Sequence, residues 1–367
     1  MNISKIVITG GPCAGKTTGM SWIQNAFVRR GYVVLFVPET ATELINGGIA
    51  PWTCGSNGEF QKCLVKLQLD KEKAFETAAK TMDAEKILIV CDRGAMDNKA
   101  YMNDEEFRAV MDYVDKNEVE LRDGYDAVFH MVTAAKGAEE FYTTANNEAR
   151  TETPQEAAEI DDKLISVWTG HPHLRIIDNS FDFEGKMKKL ISEIASFLGE
   201  PEPFEVERKF LIDYPDTEGL QKLPNCEKVN IIQTYLQSKD DEEMRVRQRG
   251  VDGNYIYYET IKKPVSDRKR IEVERRLTKD EYLEKLMEAD PMSKPIRKDR
   301  YCLSEGNQYF EIDVYPFWDD KAILEIELCD PEEEIHIPEM VNVIKEVTGD
   351  EKYKNASLAK RELKKEN

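Results

Sequence analysis

Two kinds of hydrophobic periodicity divide the chain near residue 200. In the first part, short apolar runs alternate with amphipathic stretches, which predicts parallel strands joined by helices. Gly199 then follows the last amphipathic stretch, as a glycine at a helix C-terminus does, and two prolines mark a linker at 201–204. The predicted strands lie at 3–9, 33–37, 87–91, 127–131 and 174–177, and the clearest helices at 17–30, 60–84 and 185–198.

After the linker, apolar and polar residues alternate with a period of two. This alternation predicts a strand-rich antiparallel domain over residues 205–367, with one helix at 279–288 and another at 337–347. The whole pattern therefore predicts an α/β parallel-sheet domain over 1–200, followed by an antiparallel β-barrel domain of the α+β class. The predicted strands of the second domain are 205–211, 231–237, 244–248, 255–261, 270–277, 300–303, 309–314 and 322–328.

Composition narrows the class of protein. The 367 residues are 41% hydrophobic, enough for two cores, and no apolar run reaches the ~20 residues of a membrane-spanning helix. The first residues lack the layout of a signal peptide, so we expect a cytoplasmic protein. Seven scattered cysteines without a Cys-x-x-Cys pair, and four histidines, argue against a disulfide framework and a zinc site. The net charge of −20 argues against nucleic acid as a partner.

Residues 10–17 read Gly-Gly-Pro-Cys-Ala-Gly-Lys-Thr and satisfy the pattern G-x-x-x-x-G-K-[ST]. Such a loop turns backbone N–H groups towards phosphates, while Lys16 reaches the outer phosphates and Thr17 ligates Mg²⁺. No signature selects the base, so ATP and GTP both stay open. The predicted nucleotide-binding residues are Gly10, Gly11, Pro12, Cys13, Ala14, Gly15, Lys16, Thr17 and Thr18.

Two carboxylates follow predicted strands of the first domain. Asp92 closes the third strand, where P-loop proteins hold Mg²⁺, and Glu39 follows the second strand. The carboxyl ends of parallel strands line the ligand crevice, so we expect both side chains to face it. Capping of the following helix is the other role open to each of them.

Two short segments make the resemblance specific. Pro38-Glu39-Thr40-Ala41 and Cys91-Asp92-Arg93-Gly94 resemble the P-loop nucleoside kinases, including the ribosylnicotinamide-kinase-like ATPases. The resemblance implies that Glu39 faces the acceptor hydroxyl and that Asp92 and Arg93 serve the metal and the phosphate. It also implies a basic lid after the fourth strand, for which Arg150 is the candidate. Few other arginines accompany it, which departs from the family pattern.

Charged residues recur at every second position in the predicted strands of the second domain, so they share one face of each strand. This face can be solvated, or it can line the inside of a barrel. Inside, each carboxylate costs several kcal/mol unless it is paired or metal-bound. A compensated interior needs divalent cations at the acids and a polyphosphate at the bases. The charged positions are Glu205, Glu207 and Lys209, then Arg245, Arg247 and Lys262, Glu272 and Glu274, Arg300, Glu311 and Asp313, and Glu325 and Glu327.

The opening Glu-x-Glu-x-Lys and the strands after it resemble the CYTH, or triphosphate tunnel metalloenzyme, family over roughly 203–360. The resemblance implies that basic residues grip a triphosphate and that acidic residues place Mg²⁺ or Mn²⁺, with Lys298 and Lys354 as weaker candidates. The implied triphosphate ligands are Lys209, Arg245, Arg247, Lys262 and Arg300, and the implied metal ligands are Glu205, Glu207, Glu272, Glu274, Asp313, Glu325 and Glu327.

Three functions compete for this domain order, which is similar to that of the TRPL translocation defect protein family. The first is a metal-dependent enzyme that binds a nucleoside triphosphate at Lys16 and hydrolyses a polyphosphate-bearing small molecule in the tunnel. The second is a small-molecule kinase whose barrel is a sensor. The third, which the resemblance implies, is a non-catalytic protein that binds GTP and a phosphoinositide headgroup. The many carboxylates favour the first, because a pure anion binder gains nothing from them.

Overall fold

The computed structural model describes residues 2–138, 153–180, 182–200, 206–238, 242–266, 269–328 and 334–365. The chain divides into two compact units, Met1–Leu198 and Gly199–Asn367. No helix in the described ranges is both long enough and apolar enough to cross a membrane.

The first unit is an α/β domain with a five-stranded parallel sheet in the order β2-β3-β1-β4-β5. All five predicted strands are present. The strands are β1 (Asn2–Thr9), β2 (Val33–Val37), β3 (Lys86–Asp92), β4 (Ala127–Met131) and β5 (Leu174–Ile177), and the helices are α1 (Lys16–Val28), α2 (Thr40–Asn46), α3 (Asn57–Ala79), α4 (Asp104–Val114), α5 (Glu118–Arg122), α6 (Pro154–Trp168) and α7 (Phe183–Phe197), with a 3-10 helix at Ala95–Tyr101.

The core of this unit explains why its strands are almost continuously apolar. Every residue of β4 is buried, as expected for a strand covered on both faces. Helices α1 and α7 cover one face through Ile23, Phe27, Leu190 and Ile194, which pack on side chains of β1, β3 and β4. The carboxyl ends of the five parallel strands therefore lie along one edge of the sheet.

The second unit is built on a nine-stranded antiparallel sheet in the order β10-β9-β8-β7-β11-β12-β13-β6-β14, with β10 and β14 at the two ends. The structure thus confirms an α/β domain followed by an antiparallel β domain. The strands of the second unit are β6 (Val206–Asp213), β7 (Cys226–Tyr235), β8 (Glu243–Val251), β9 (Asn254–Ser266), β10 (Lys269–Leu277), β11 (Ile296–Glu305), β12 (Gln308–Val314), β13 (Lys321–Leu328) and β14 (Val343–Glu346), and the helices of that unit are α8 (Thr217–Leu220), α9 (Lys279–Lys285) and α10 (Asn355–Lys365).

The helix predicted at 337–347 is wrong. Residues 343–346 form β14, which pairs with β6 through Val343 and Ile212 and through Glu346 and Phe210. The apolar residues of this segment have helical spacing, but several are β-branched and β6 offers an edge with unpaired backbone groups. Pairing with that edge overrides the local pattern. The helix near the C-terminus is instead α10.

The strand register sorts charged and apolar side chains onto opposite faces of the second sheet. Glu311 lies opposite Glu325, and Glu325 lies opposite Lys209, so these three share a face. Their neighbours along the same strands point the other way and form a hydrophobic cluster, which includes Phe210, Phe310, Ile312, Leu324 and Ile326. We call the face that carries Lys209, Glu311 and Glu325 the charged face.

Candidate functional site

The phosphate-loop motif lies between β1 and α1, and its backbone requires glycine. Gly10 has a φ of +143°, and a Cβ there would lie 2.1 Å from the carbonyl oxygen of Met131 at the end of β4. Gly15 has a φ of +89° at the start of α1, and Cys13 also adopts the left-handed region. The loop is therefore folded tightly around the N-terminus of α1, where backbone N–H groups can receive an anion.

Lys16 is folded back over this loop. Its Nζ donates a hydrogen bond to the carbonyl oxygen of Gly10 at 3.1 Å. Burial and then the charge of Arg93 lower the pKa of Lys16 to about 8, against the opposing effect of Asp92 and Glu39. Thr17 and Thr18 follow on the first turn of α1 and are exposed. The motif thus places the ammonium group of Lys16 beside the N-terminus of α1.

Glu39 and Arg93 meet at the carboxyl edge of the sheet. Arg93 Nε donates to Glu39 Oε1 at 2.6 Å, and the hydroxyl of Thr42 donates to Glu39 Oε2 at 2.6 Å. Burial disfavours the ionised Glu39, but Arg93 and Thr42 outweigh it and hold the pKa of Glu39 below its ordinary value. The side chain of Glu39 makes no capping bond to α2. Arg93 itself has a φ of +68°, a strained backbone that aims its guanidinium at Glu39.

Asp92, at the end of β3, has an unsatisfied oxygen. Its Oδ1 is buried and has no hydrogen-bond partner among the described residues. Burial raises the pKa of Asp92 although the charge of Lys16 opposes the shift. A buried carboxylate oxygen without a donor fits a divalent cation, for which oxygen ligands are preferred. Asp92 and the exposed hydroxyl of Thr17 are therefore the residues of the first unit that would hold Mg²⁺.

Asp161 on α6 is a further residue at this site that the sequence analysis did not identify. It is fully buried, and its Oδ1 accepts from the backbone N–H of Gly11 at 2.9 Å. A lone aspartate belongs to no motif, so a local pattern could not identify it. The available signal is its position four residues after Ala157 and seven before Trp168, on the buried face of α6.

In the second unit, Arg300 is the centre of a buried ion cluster on the charged face. Its Nε and Nη2 donate to the two oxygens of Asp313 at 2.7 Å each, in the bidentate geometry that arginine and a carboxylate favour. Nη2 also donates to Glu325 at 2.9 Å, and Nη1 donates to Glu311. Lys298 is a second cation on Asp313. These pairs offset the cost of burying the charges.

Lys209 extends this cluster onto β6. Its Nζ lies 2.9 Å from Glu207 and 3.0 Å from Glu325. Burial disfavours the ionised Glu325, but the charges of Lys209, Lys298 and Arg300 hold its pKa well below the ordinary value. Glu327 is exposed and lies opposite Glu207 in the register.

Arg247 on β8 forms a second charged group on the same face. Its Nη2 lies 3.1 Å and 2.9 Å from the two oxygens of Glu274 on β10, and its guanidinium lies 5.2 Å from the centre of the Tyr258 ring. Nε of Arg247 is buried and makes no hydrogen bond within the described ranges. In the register, Arg245 lies opposite Thr260, and Lys262 lies opposite Glu243. The register therefore places all the described basic candidates on one face, apart from Lys354, which precedes α10.

The metal ligands inferred for the second unit stay predictions. In the described ranges, no three His, Cys, Asp or Glu side chains converge closely enough to hold a metal ion. Asp313, Glu325 and Glu274 instead use their oxygens on arginine and lysine. Glu205 and Arg150, and the side chain of Glu272, lie outside the described part of the chain.

Two family models match the chain, one in each of its two compact units. Residues 5–186 match the family model of the AAA domain, and residues 203–361 match that of the CYTH domain. The first unit is accordingly a P-loop nucleotide-binding domain and the second a CYTH domain, the class of triphosphate tunnel folds. No curated protein matches the chain.

Several solved structures are similar to part of the chain. The inorganic triphosphatase NE1496 is 27% identical, over 43% of this chain and 96% of that one, with a TM-score of 0.30. The PH1012 protein of Pyrococcus horikoshii is 19% identical, over 35% and 82% of the two chains, with a TM-score of 0.26. Thymidylate kinase from Candida albicans is 16% identical, over 52% and 90%, with a TM-score of 0.38.

Proposed function

We propose that the second domain binds and hydrolyses inorganic triphosphate or an organic polyphosphate, with Mg²⁺ or Mn²⁺, while the first domain binds ATP or GTP. The observation that carries this proposal is the charged face, where both signs of charge are buried together on a CYTH sheet. A face that bound only anions would hold its cations without so many acids. A face that bound only metal would hold its acids without so many cations.

The ion pairs of the charged face suggest how a substrate enters. Each described cation of the Arg300 cluster lies against a carboxylate, so the face is neutralised internally. A polyphosphate competes with those carboxylates for Lys209 and Arg300. Its arrival would draw Lys209 and Arg300 away from Glu325, while Asp313 would keep Lys298, and a divalent cation bound to the substrate would supply the missing positive charge. Such a cation would neutralise phosphate charge and activate water.

A substitution pair on β6 tests this proposal. Lys209→Met removes a cation from the charged face, whereas Arg208→Met removes one from the opposite face, where Arg208 Nη2 donates to Glu346 at 2.8 Å. Losing a charge-assisted contact of ~1.5–3 kcal/mol weakens triphosphate binding about 10- to 100-fold in Lys209→Met. Arg208→Met leaves binding close to wild type. Calorimetry with triphosphate provides the measurement.

Hydrolysis is measured by phosphate release from inorganic triphosphate, thiamine triphosphate, ATP and GTP, with Mg²⁺, with Mn²⁺ and with chelator. Metal-dependent release that Lys209→Met abolishes supports the enzyme. Equal losses in both β6 variants would show that the charged face is not the site. Binding without turnover under every metal would instead favour a non-catalytic polyphosphate or phosphoinositide-headgroup binder.

The first domain has a second candidate function, phosphoryl transfer to a small molecule. The observation in its favour is Glu39, which is ionised, partly exposed and makes no cap to α2. An ionised carboxylate beside the phosphate loop can accept a proton from an attacking hydroxyl. Transfer of labelled γ-phosphate from ATP to nucleosides, lost in Glu39→Gln with nucleotide affinity unchanged, would establish this activity.

A further inference from the structure

A buried carboxylate backs the phosphate loop. Asp161 Oδ1 accepts from the N–H of Gly11 at 2.9 Å and from the N–H of Thr133 at 3.2 Å, and lies 3.1 Å from His130 Nε2. Asp161 Oδ2 accepts from Lys136 Nζ at 3.1 Å. One side chain thus joins the phosphate loop to the segment that follows β4.

The same two segments are joined at further points. The hydroxyl of Thr133 donates to the carbonyl oxygen of Pro12, and the N–H of Ala134 donates to that of Cys13 at 3.3 Å. The approach is close, because a Cβ on Gly11 would lie 2.9 Å from Asp161 Oδ1. Residues 11–13 are therefore held along their whole length by residues 133–134 and by α6.

The segment after β4 is fixed from its other side as well. Asn179 Nδ2 donates to the carbonyl oxygens of Thr133 at 2.8 Å and of Lys136 at 2.7 Å. Asn179 Oδ1 in turn accepts from the buried Lys186 Nζ at 2.7 Å, and Lys186 also donates to Val132. A displacement of the phosphate loop would therefore break its bonds to α6 and to residues 133–134, a segment that Asn179 and Lys186 hold in place.

We propose that Asp161 is a positioning residue, which holds the phosphate loop in its anion-binding arrangement through Gly11 and Thr133. A negative charge beside a triphosphate site opposes anion binding, so electrostatics alone gives Asp161 no favourable role there. Asp161 instead accepts hydrogen bonds from four donors. Because the site is buried, each donor left unpaired would lower the stability of this arrangement. The inference rests on nucleotide binding at Lys16.

Removing the charge of Asp161 separates the two explanations, because one predicts a higher nucleotide affinity and the other a lower one. Asp161→Asn removes the charge, which raises nucleotide affinity if electrostatics dominates. The amide has a single acceptor oxygen, and its NH₂ group must face Lys136 or Gly11. If positioning dominates, affinity for MgATP and MgGTP therefore falls, by about 10- to 100-fold.

Asp162→Asn is the matched control. Asp162 is the next residue of α6, is exposed, and lies 2.6 Å from the same Lys136 Nζ, but in the described part of the chain it makes no hydrogen bond to the phosphate loop. It removes the same charge close to the same site, so its nucleotide affinity should equal or slightly exceed that of wild type. Thr133→Val is the second variant. It removes the hydroxyl bond to Pro12 without touching a buried charge, and should weaken binding about three- to tenfold.

Affinity is measured on the full chain by calorimetry, at a temperature where circular dichroism shows every variant to be folded. A merely structural role would lower the melting temperature and leave this affinity unchanged. If Asp161→Asn and Thr133→Val both bind as tightly as Asp162→Asn, the positioning role is wrong. Lys16→Ala separates the two assignments: if it binds like wild type, nucleotide binding at the loop fails and the positioning role with it.

Discussion

Asp92 ends β3, Glu39 follows the neighbouring β2, and the two carry the same charge, yet their surroundings shift their pKa values in opposite directions. Glu39 accepts hydrogen bonds from Arg93 and from the Thr42 hydroxyl, whereas no donor in the described part of the chain reaches the buried Oδ1 of Asp92. Burial acts on both side chains, so the difference comes from their partners. Glu39 is satisfied within the protein, whereas Oδ1 of Asp92 is available to a bound metal.

Asp92→Asn is therefore expected to separate stability from binding. Removing a buried, incompletely paired charge should raise the free energy of unfolding of the nucleotide-free protein by about 1 kcal/mol. The same change should abolish the dependence of nucleotide affinity on Mg²⁺, because the amide is a poor metal ligand. Urea denaturation and calorimetry with and without Mg²⁺ measure the two effects. A variant that is less stable and still responds to Mg²⁺ would contradict this role for Asp92.

The conformation of the phosphate loop could be predicted because its motif occupies eight consecutive positions. The charged positions of the second sheet could be predicted from a period of two, since register and alternation place them on one face. Asp161 could not be predicted, because its partners Gly11, His130 and Thr133 lie in two distant parts of the chain, the phosphate loop and the segment at the end of β4. The pairing of Arg300 with Asp313 likewise depends on which strands become neighbours.

At the scale of elements, β14 and α10 show where local pattern fails. Both lie near the end of the chain, and tertiary partners decide their form. Leu358 and Ala359 of α10 pack with Leu211, Ile296 and Ile323, which lie on the same face of their strands as the charged residues. One end of the charged face is thus covered by an apolar cluster, and α10 belongs to it.

Leu358→Ala should destabilise the second domain by about 2–4 kcal/mol, because it leaves a cavity among side chains of β6, β11 and β13. Lys360→Ala, on an exposed position of the same helix, is the control and should change the unfolding free energy by less than about 0.5 kcal/mol. Chemical denaturation measures both. Equal small effects would mean that α10 does not complete this core.

At the scale of the whole molecule, each unit has a hydrophobic core of its own. The clusters of the first unit lie within residues 6–198, and those of the second lie within residues 210–359. Two domains with separate cores are expected to unfold independently unless a large interface couples them.

A fragment that begins at residue 203 should therefore fold alone and keep any triphosphatase activity of the full chain. Its charged face is assembled from strands β6 to β13, so every described contact of Arg300, Lys209 and Arg247 is retained. Thermal denaturation of the full chain should show two transitions. One of them should occur at the melting temperature of the fragment, and triphosphate should raise the temperature of that transition only. Nucleotide should shift the remaining transition, by an amount set by its concentration relative to the dissociation constant. A folded fragment that binds triphosphate without hydrolysing it, while the full chain turns over, would show that the tunnel depends on the first domain.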